Sequence, residues 1–264
     1  PYDIIGKPTL YLIVDRWSRL IVGYTLTLEN PSWSAALMAL LSIFEDKAAL
    51  CAQYGVEYKE REWPAHEALC QEFLADRGSD WTCDASMAIP AGLGASIANL
   101  PAGRADMKPY VENCHRLLNK MLRKFEPSSD PDANTDARQK IDYKGKACAR
   151  MRDMNRYTLE AIIALNKKQY DDFPRTPEML SMRVKPNPIE LWNYGVEYLT
   201  GAPQRVTEDQ ARLLLLPRGK AAVNEHGIKF KDVYFKSKEL AKQGVFDAAV
   251  RDTDYVEVSY DPRS

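Results

Sequence analysis

Two carboxylates have the placement that phosphate chemistry requires. Asp76 ends the apolar run Leu69–Ala75 and is followed by Arg77-Gly78-Ser79; Glu112 comes thirty-six positions later, in the first turn of a strongly periodic helix. A carboxylate at a strand end and another on a helix face can converge on a divalent cation, and the hard ions Mg2+ and Mn2+ take oxygen ligands. Two such ions about 4 Å apart activate an attacking oxygen and stabilise a leaving one, with no Ser or His nucleophile. The plainer reading makes Asp76 a turn residue and Glu112 a helix-start acid favoured by the dipole. The helix adds weight to the first reading. Val111, Cys114, Leu118, Met121, Leu122 and Phe125 form its core stripe, while Glu112, Arg116, Asn119 and Arg123 recur at i, i+4, i+7 and i+11 on an adjoining face. A carboxylate followed down one face by Arg, Asn and Arg suits a metal beside a phosphate backbone. The ordinary alternative is a Glu112–Arg116 surface ion pair, worth roughly a few tenths of a kcal/mol.

The elements that must position these groups can be read from periodicity. Thr9–Val14 is apolar on both faces, as in a central strand, and Leu20–Leu28 returns after the polar turn Asp15–Arg19. Asn30-Pro31 reads as a helix start, and one helix is expected to run on through Trp33, Leu37, Leu40 and Phe44 to Tyr54, ending at Gly55. Leu69–Ala75 and Ser96–Leu100 are further strands, and the helix with Glu112 begins at Tyr110. A Pro-, Ser- and Asp-rich insertion at about 126–140 precedes helices over Ala147–Tyr170 and Ile189–Tyr198. Beyond it, Leu213–Leu216, Ala221–Val223, Ile228–Phe235 and Tyr255–Tyr260 read as short strands, with Asn224-Glu225-His226-Gly227 as a hairpin turn. The expectation is an α/β domain over 1–203 and a small β domain over 204–264, incomplete at its C-terminal end.

At 264 residues and 45% hydrophobic, the chain can bury one good core and a smaller second one, and it is too apolar for a disordered tail. The longest apolar stretch, Ala35–Phe44, is about half a membrane span. The net charge of −1 favours no polyanion, but its distribution is uneven: seven basic against two acidic residues over Arg138–Arg156, and seven against three over Arg218–Lys242. Segregated signs suit a face that grips a polyanion, and solvated charge runs are the plainer account. Five cysteines without a CxxC pair indicate free, mostly buried thiols. A zinc site from His66, Cys70 and Cys83 with Cys114 or His115 would lack close-paired ligands. With three histidines and no GxSxG, a hydrolase triad is not indicated, and Gly92-x-Gly94 lacks the third glycine of a dinucleotide loop. The opening Pro1-Tyr2-Asp3 has neither an initiator Met nor a charged-then-apolar leader, so a segment of a longer protein is expected.

Several motifs in their order carry a resemblance. GKPTLYLIVDRWSRLIVGY, ENPSWSAAL, LADRGSDW and RADMKPYVENCHRLL resemble the core of DDE transposases and retroviral-type integrases. ALNKKQYDDF, PNPIELWNYG, LLLLPRGKAAV, HGIKFKDVYF and VEVSYDPR are similar to the TnsB-type subunit of heteromeric cut-and-paste transposons, with the phage Mu transposase more distant. The resemblance implies an RNase H-like mixed sheet flanked by helices, followed by a small β-barrel. It implies a polynucleotidyl transferase that binds transposon ends and joins their 3′ ends to target DNA with two Mg2+ (or Mn2+) ions. Asp76 and Glu112 then match the second and third catalytic acids and metal ligands. Arg104, Lys108, Arg116, Asn119 and Arg123 fall on DNA, with Lys144, Lys146, Arg150, Arg218 and Lys220 in the two basic stretches holding phosphates. The first acid is expected on a strand upstream of Pro1, with Asp15 as the alternative and Asp3 a weaker one. Implied partners are double-stranded DNA, further copies of the chain on DNA, a TnsA-like endonuclease and a TnsC-like AAA+ regulator, in the bacterial cytoplasm on the nucleoid and without a membrane. Two other readings stay open: an inactive docking module of the same fold, and a nuclease that hydrolyses rather than transfers.

Overall fold

The computed structural model describes residues 5–28, 32–75, 93–99, 109–126, 148–199, 201, 203–248 and 254–263. Asp76, Arg104, Lys108, Lys144, Lys146, Cys83 and the 127–147 segment lie outside them. The chain divides into two compact units, Pro1–Leu215 and Leu216–Ser264. Both are mixtures of helices and small sheets, so the protein is of mixed α/β class.

The first unit is built on a hairpin. Strand β1 (Thr9–Val14) pairs antiparallel with β2 (Ile21–Thr27), Thr9 opposite Thr27 and Ile13 opposite Gly23. Thr9–Val14, apolar on both faces, is expected at the centre of a sheet; among the described residues β1 pairs with β2 alone and is half-buried throughout, while β2 is buried from Ile21 to Leu26. The reason lies in how the edge of β2 is sealed. The side-chain amide of Asn166 accepts from the Ile21 N–H at 2.9 Å and donates to the Ile21 carbonyl at 3.2 Å. The Ser42 hydroxyl accepts from the Tyr24 N–H at 2.8 Å and donates to the Ala39 carbonyl at 2.6 Å. Side chains thus satisfy backbone groups that would otherwise need another strand. The approach is close: a Cβ at Gly23 would lie 2.7 Å from Ser42 Oγ and 2.8 Å from the Ala39 carbonyl oxygen.

Two helices replace the single one expected over Trp33–Tyr54. Helix α1 (Trp33–Leu41) is capped by Ser32, whose side chain accepts from the Ala35 N–H, so the cap falls two residues after Asn30. Helix α2 (Lys47–Tyr54) starts from its own cap, Asp46, and ends at Gly55 in the left-handed conformation. The break between them is chemical. Ser42 is diverted to β2, and the buried Lys47 ammonium donates to the Ser42 and Ile43 carbonyls at the end of α1. That ammonium lies 5.0 Å from the centre of the Trp63 ring, and burial lowers its pKa to about 8.

The expected strand over Leu69–Ala75 divides at Cys70–Gln71. Its first piece, β3 (Ala68–Leu69), pairs antiparallel with β6 (Gln204–Arg205), and its second, β4 (Glu72–Ala75), runs parallel to β5 (Ser96–Asn99). Helices α3 (Pro109–Leu122) and α4 (Met151–Asn166) pack on each other, α3 also against β1 and α4 against β2. The short helix α5 (Pro177–Ser181) and α6 (Pro188–Tyr198) follow the proline punctuation, with Thr176 and Asn187 as their caps. Leu213–Leu216 was expected as a strand, but Glu208–Leu215 is helix α7. Thr207 explains it: its hydroxyl accepts from the Gln210 N–H while the Gln210 side chain accepts from the Thr207 N–H, a reciprocal cap. Ala211 and Leu215, four apart, are then buried on one face, and α7 packs on α1.

In the second unit β7 (Arg218–Asn224), β8 (Gly227–Phe230), β9 (Val233–Phe235) and β10 (Asp254–Ser259) form an antiparallel sheet in the order β10-β7-β8-β9. The Asn224–Gly227 turn is as expected, with Asn224 Oδ1 accepting from the His226 N–H. Ile228–Phe235 is two strands rather than one, because Lys231 and Asp232 both take positive φ and reverse the chain. The unit is not all-β either. Lys238–Lys242 and Val245–Ala248 are short helices, and Phe246 packs with Val223, Ile228, Leu240, Val245 and Val256.

Candidate functional site

Helix α3 carries the site face. Cys114, Leu118 and Leu122 are buried and anchor it; Val111 and Met121 are half-buried, and Phe125, expected in the stripe, is exposed but stacks on Tyr157 at 4.5 Å. Glu112, Arg116 and Asn119 stand together on the exposed side, and Arg123 is half-buried beyond them. The Glu112–Arg116 ion pair does not form. Arg116 Nη2 donates instead to Asn113 Oδ1 at 2.7 Å, and Glu112 has no hydrogen bond or ion pair among the described residues. The C-terminal end of α3 is tied to the start of α4 by Glu126. This buried carboxylate accepts from the Ala149 N–H at 2.6 Å and the Cys148 N–H at 3.2 Å, so the two ends of the 127–147 segment are held side by side.

The first turn of α3 is located by a residue that pattern reading passed over. Arg19, read as part of a polar turn, adopts φ 64° and turns its guanidinium inward. It lies 4.7 Å from the Tyr110 ring centre, 4.8 Å from Tyr170 and 5.5 Å from Phe173, with Asp172 at 3.7 Å. A desolvated guanidinium among aromatic faces is held strongly, at about 2 kcal/mol. Tyr110 is two residues before Glu112, so this cage sets where the Glu112 turn sits. Nothing local announces it, because the three rings come from distant parts of the sequence.

Beside α3 lies a cleft of 480 Å³, lined by consecutive β1 residues from Leu10 on through Asp15, by Glu72, Phe73 and Leu74 of β4, by Tyr110, Val111 and His115 of α3, and by Trp192 of α6. That consecutive β1 residues line it means the strand turns its edge, not one face, to the cleft. Burial raises the Cys70 thiol to about 12 and the Cys114 thiol to about 11, and lowers the His115 imidazole. Protonated thiols are poor nucleophiles and poor metal ligands. No group of three metal-binding side chains converges among the described residues, and Cys83 of the zinc alternative lies outside them. Asp15 is engaged locally: its Oδ2 accepts from the Ser18 N–H at 2.7 Å and the Ser18 hydroxyl at 2.6 Å. Of the remaining site residues, Arg150 is exposed at the start of α4. Arg218 and Lys220 are exposed in the second unit, Arg218 pairing with Glu257 at 3.4 Å.

A hairpin, a parallel strand pair and an exposed helix-borne carboxylate belong here to a class with known members. Residues 1–128 match the family model of the TnsB C-terminal domain, and the chain is similar to the TnsB-type transposases. It is 30% identical over 271 residues to the transposon Tn7 transposition protein TnsB of Escherichia coli, covering 98% of this chain and 37% of that protein. It is 20% identical over 240 residues to the transposase for transposon Tn552 of Staphylococcus aureus, covering 89% of this chain and 42% of that protein. The chain thus spans about two fifths of the length of these relatives. Among the described residues no helix is long and apolar enough to cross a membrane.

Proposed function

We propose that the chain is the strand-joining part of a DNA transposase, with Asp76 and Glu112 as catalytic acids. The observation that carries the reading is the state of Glu112: an exposed carboxylate, without an ion pair among the described residues, at the start of a helix packed on β1, its turn fixed by the Arg19 cage. An acid kept out of local ion pairs is available to a ligand. Its oxygen donors fit a hard divalent cation better than the protonated Cys70 and Cys114 thiols would. Asp76 follows directly on β4, the strand that borders the same cleft as the α3 residues Val111 and His115. Bound Mg2+ or Mn2+ would neutralise charge on the reacting phosphate and favour the alkoxide of the attacking 3′-hydroxyl. The chain's own part is to hold carboxylates against that centre and cations against the backbone. Arg116, Asn119 and Arg123 lie along α3 beyond Glu112, and Arg104, Lys108, Lys144, Lys146 and Arg150 are proposed to add phosphate contacts. The 3′ oxygen then bonds to the target phosphorus as the target's own 3′ oxygen leaves.

The fold we propose is RNase H-like, followed by a small barrel. A further strand on the edge of β1 that faces the cleft would join the β1–β2 and β4–β5 pairs into one mixed sheet and carry the first acid. Asp15 suits that role less well, since Ser18 already occupies its carboxylate. The relatives' names speak of transposition. From the resemblance we further propose self-association on double-stranded DNA in the bacterial cytoplasm, with a TnsA-like endonuclease and a TnsC-like AAA+ regulator as partners.

The test is joining of pre-cleaved transposon ends to target DNA by the full-length protein in Mg2+. Asp76→Asn and Glu112→Gln each abolish joining and keep end binding if the reading is right. Joining retained by either variant removes that residue from the ligand set. No joining by the wild type under any divalent ion, with ends still bound, favours the inactive docking module.

A further inference from the structure

The sheet of the second unit has one covered face and one open face, and the open one is not merely solvated. Alternation along β7 buries Ala221 and Val223 and exposes Arg218 and Lys220. The buried side packs on Phe246, Leu240 and Val245 from the two short helices. Register sets the open side: Tyr255 is opposite Ala222, Ala222 opposite Lys229, and Lys229 opposite Tyr234. Directly paired residues point to the same side of a sheet. One row therefore crosses all four strands as Tyr255, Ala222, Lys229, Tyr234, spanning about 14 Å at ~4.8 Å per strand step. The tyrosines at its two ends are 70% and 48% exposed.

Cations flank this row. Lys220 lies two residues from Ala222 on the same side, exposed and directly opposite Glu257. Arg218 follows, partly neutralised by Glu257, and Lys229 lies 3.1 Å from Asp232 at the hairpin end. The whole stretch from Arg218 to Lys242 has seven basic residues against three acidic ones. The row sets two exposed tyrosines at its ends, Tyr234 edge-on to His226, with a small residue and a cation between them. Phosphate binding alone would need the cations without the tyrosines. Aromatic rings stack on bases only where the bases are unpaired, while the sheet's cations track the backbone.

We propose that this open face binds single-stranded nucleic acid, with Tyr234 and Tyr255 stacking on separate bases and Lys220 and Lys229 on the intervening phosphates. It rests on the reading of the chain as acting on DNA, and it assigns the second unit to unpaired strand rather than to duplex. The test is independent of metal and of joining. Full-length protein in EDTA is titrated against a fluorescent twelve-nucleotide oligo(dT) and against a duplex of equal length. Tyr234→Ala and Tyr255→Ala should each weaken oligo(dT) binding about tenfold, with Tyr→Phe variants close to wild type and duplex binding changed less than twofold. Lys220→Gln should weaken oligo(dT) binding more than duplex binding. An iodouracil-substituted oligonucleotide should photo-cross-link to Tyr234 or Tyr255. Equal losses on single strand and duplex, or wild-type single-strand binding in both alanine variants, would overturn the proposal. Loss of protein assembly with single-strand binding intact would make the face a protein-docking surface and overturn it too. Failure of joining with tyrosine-dependent binding preserved would count against the catalytic reading alone.

Discussion

The two units use polar and aromatic side chains in opposite ways. In the first, they are turned inward and spent on geometry: Arg19 sits among three rings, Asn166 and Ser42 seal β2, and Lys47 ends α1. In the second, Tyr234 and Tyr255 are turned outward on an open sheet with a core of few residues. A site that must hold a carboxylate to a fraction of an ångström needs over-determined surroundings. A surface that holds a flexible strand needs exposed area instead. The difference teaches that the first unit should be sensitive to changes far from the reacting groups, and the second only at the residues that touch the ligand.

The largest expected effect separates the two functions. Glu112→Gln should abolish joining and leave single-strand binding at wild-type level, whereas the Tyr234→Ala, Tyr255→Ala double variant should do the reverse; both variants losing both activities would dissolve the comparison. Next comes packing at β2. Gly23→Val places methyl groups into Ser42 and the Ala39 carbonyl, and should destabilise the first unit by about 3 kcal/mol, read as a fall in denaturant midpoint. A similar loss from an exposed substitution such as Lys220→Val would show that over-determination is not special to the first unit.

Arg19→Ala should cost about 2 kcal/mol and also raise the Mg2+ concentration needed for half-maximal joining, since the Glu112 turn loses its clamp. Arg19→Lys should recover part of the stability but less of the metal dependence, because a compact ammonium cannot span three rings. A stability loss with unchanged Mg2+ dependence would reduce Arg19 to a packing role.

The smallest effect is a pH dependence. Burial lowers the His115 pKa, so the folded protein keeps this imidazole neutral where the unfolded chain already takes up a proton. Stability from this group is complete above the unfolded value of about 6.5 and falls as pH drops below it, levelling off under the folded pKa. The His115→Gln variant should show a shallower fall in denaturant midpoint between pH 7 and 5. An unchanged profile would place the titration elsewhere.

Much of this was legible in the sequence, and the failures have two causes. The β1–β2 hairpin, the α3 stripe and the Asn224–Gly227 turn depend on neighbours in the chain, and all three are found. The continuous helix to Tyr54 and the strand at Leu213–Leu216 were misread because one capping residue, Asp46 or Thr207, outweighs several residues of apolar pattern. That β2 is the more buried strand of the pair was not visible, because an apolar run says nothing of which strand Asn166 seals, 145 positions from Ile21. Glu112 was visible as a helix-start acid, but its freedom from Arg116 was not, since sequence cannot show that Asn113 competes for the guanidinium. The Arg19 cage was invisible for the same reason of distance.

The central claim is that Asp76 and Glu112 share a divalent cation. Anomalous diffraction from the full-length protein on pre-cleaved transposon-end DNA in Mn2+ tests it most directly. A manganese peak is expected at about 2.1 to 2.2 Å from carboxylate oxygens of both residues, next to the terminal 3′-hydroxyl. A manganese ion beside that hydroxyl with neither Asp76 nor Glu112 among its ligands would contradict it.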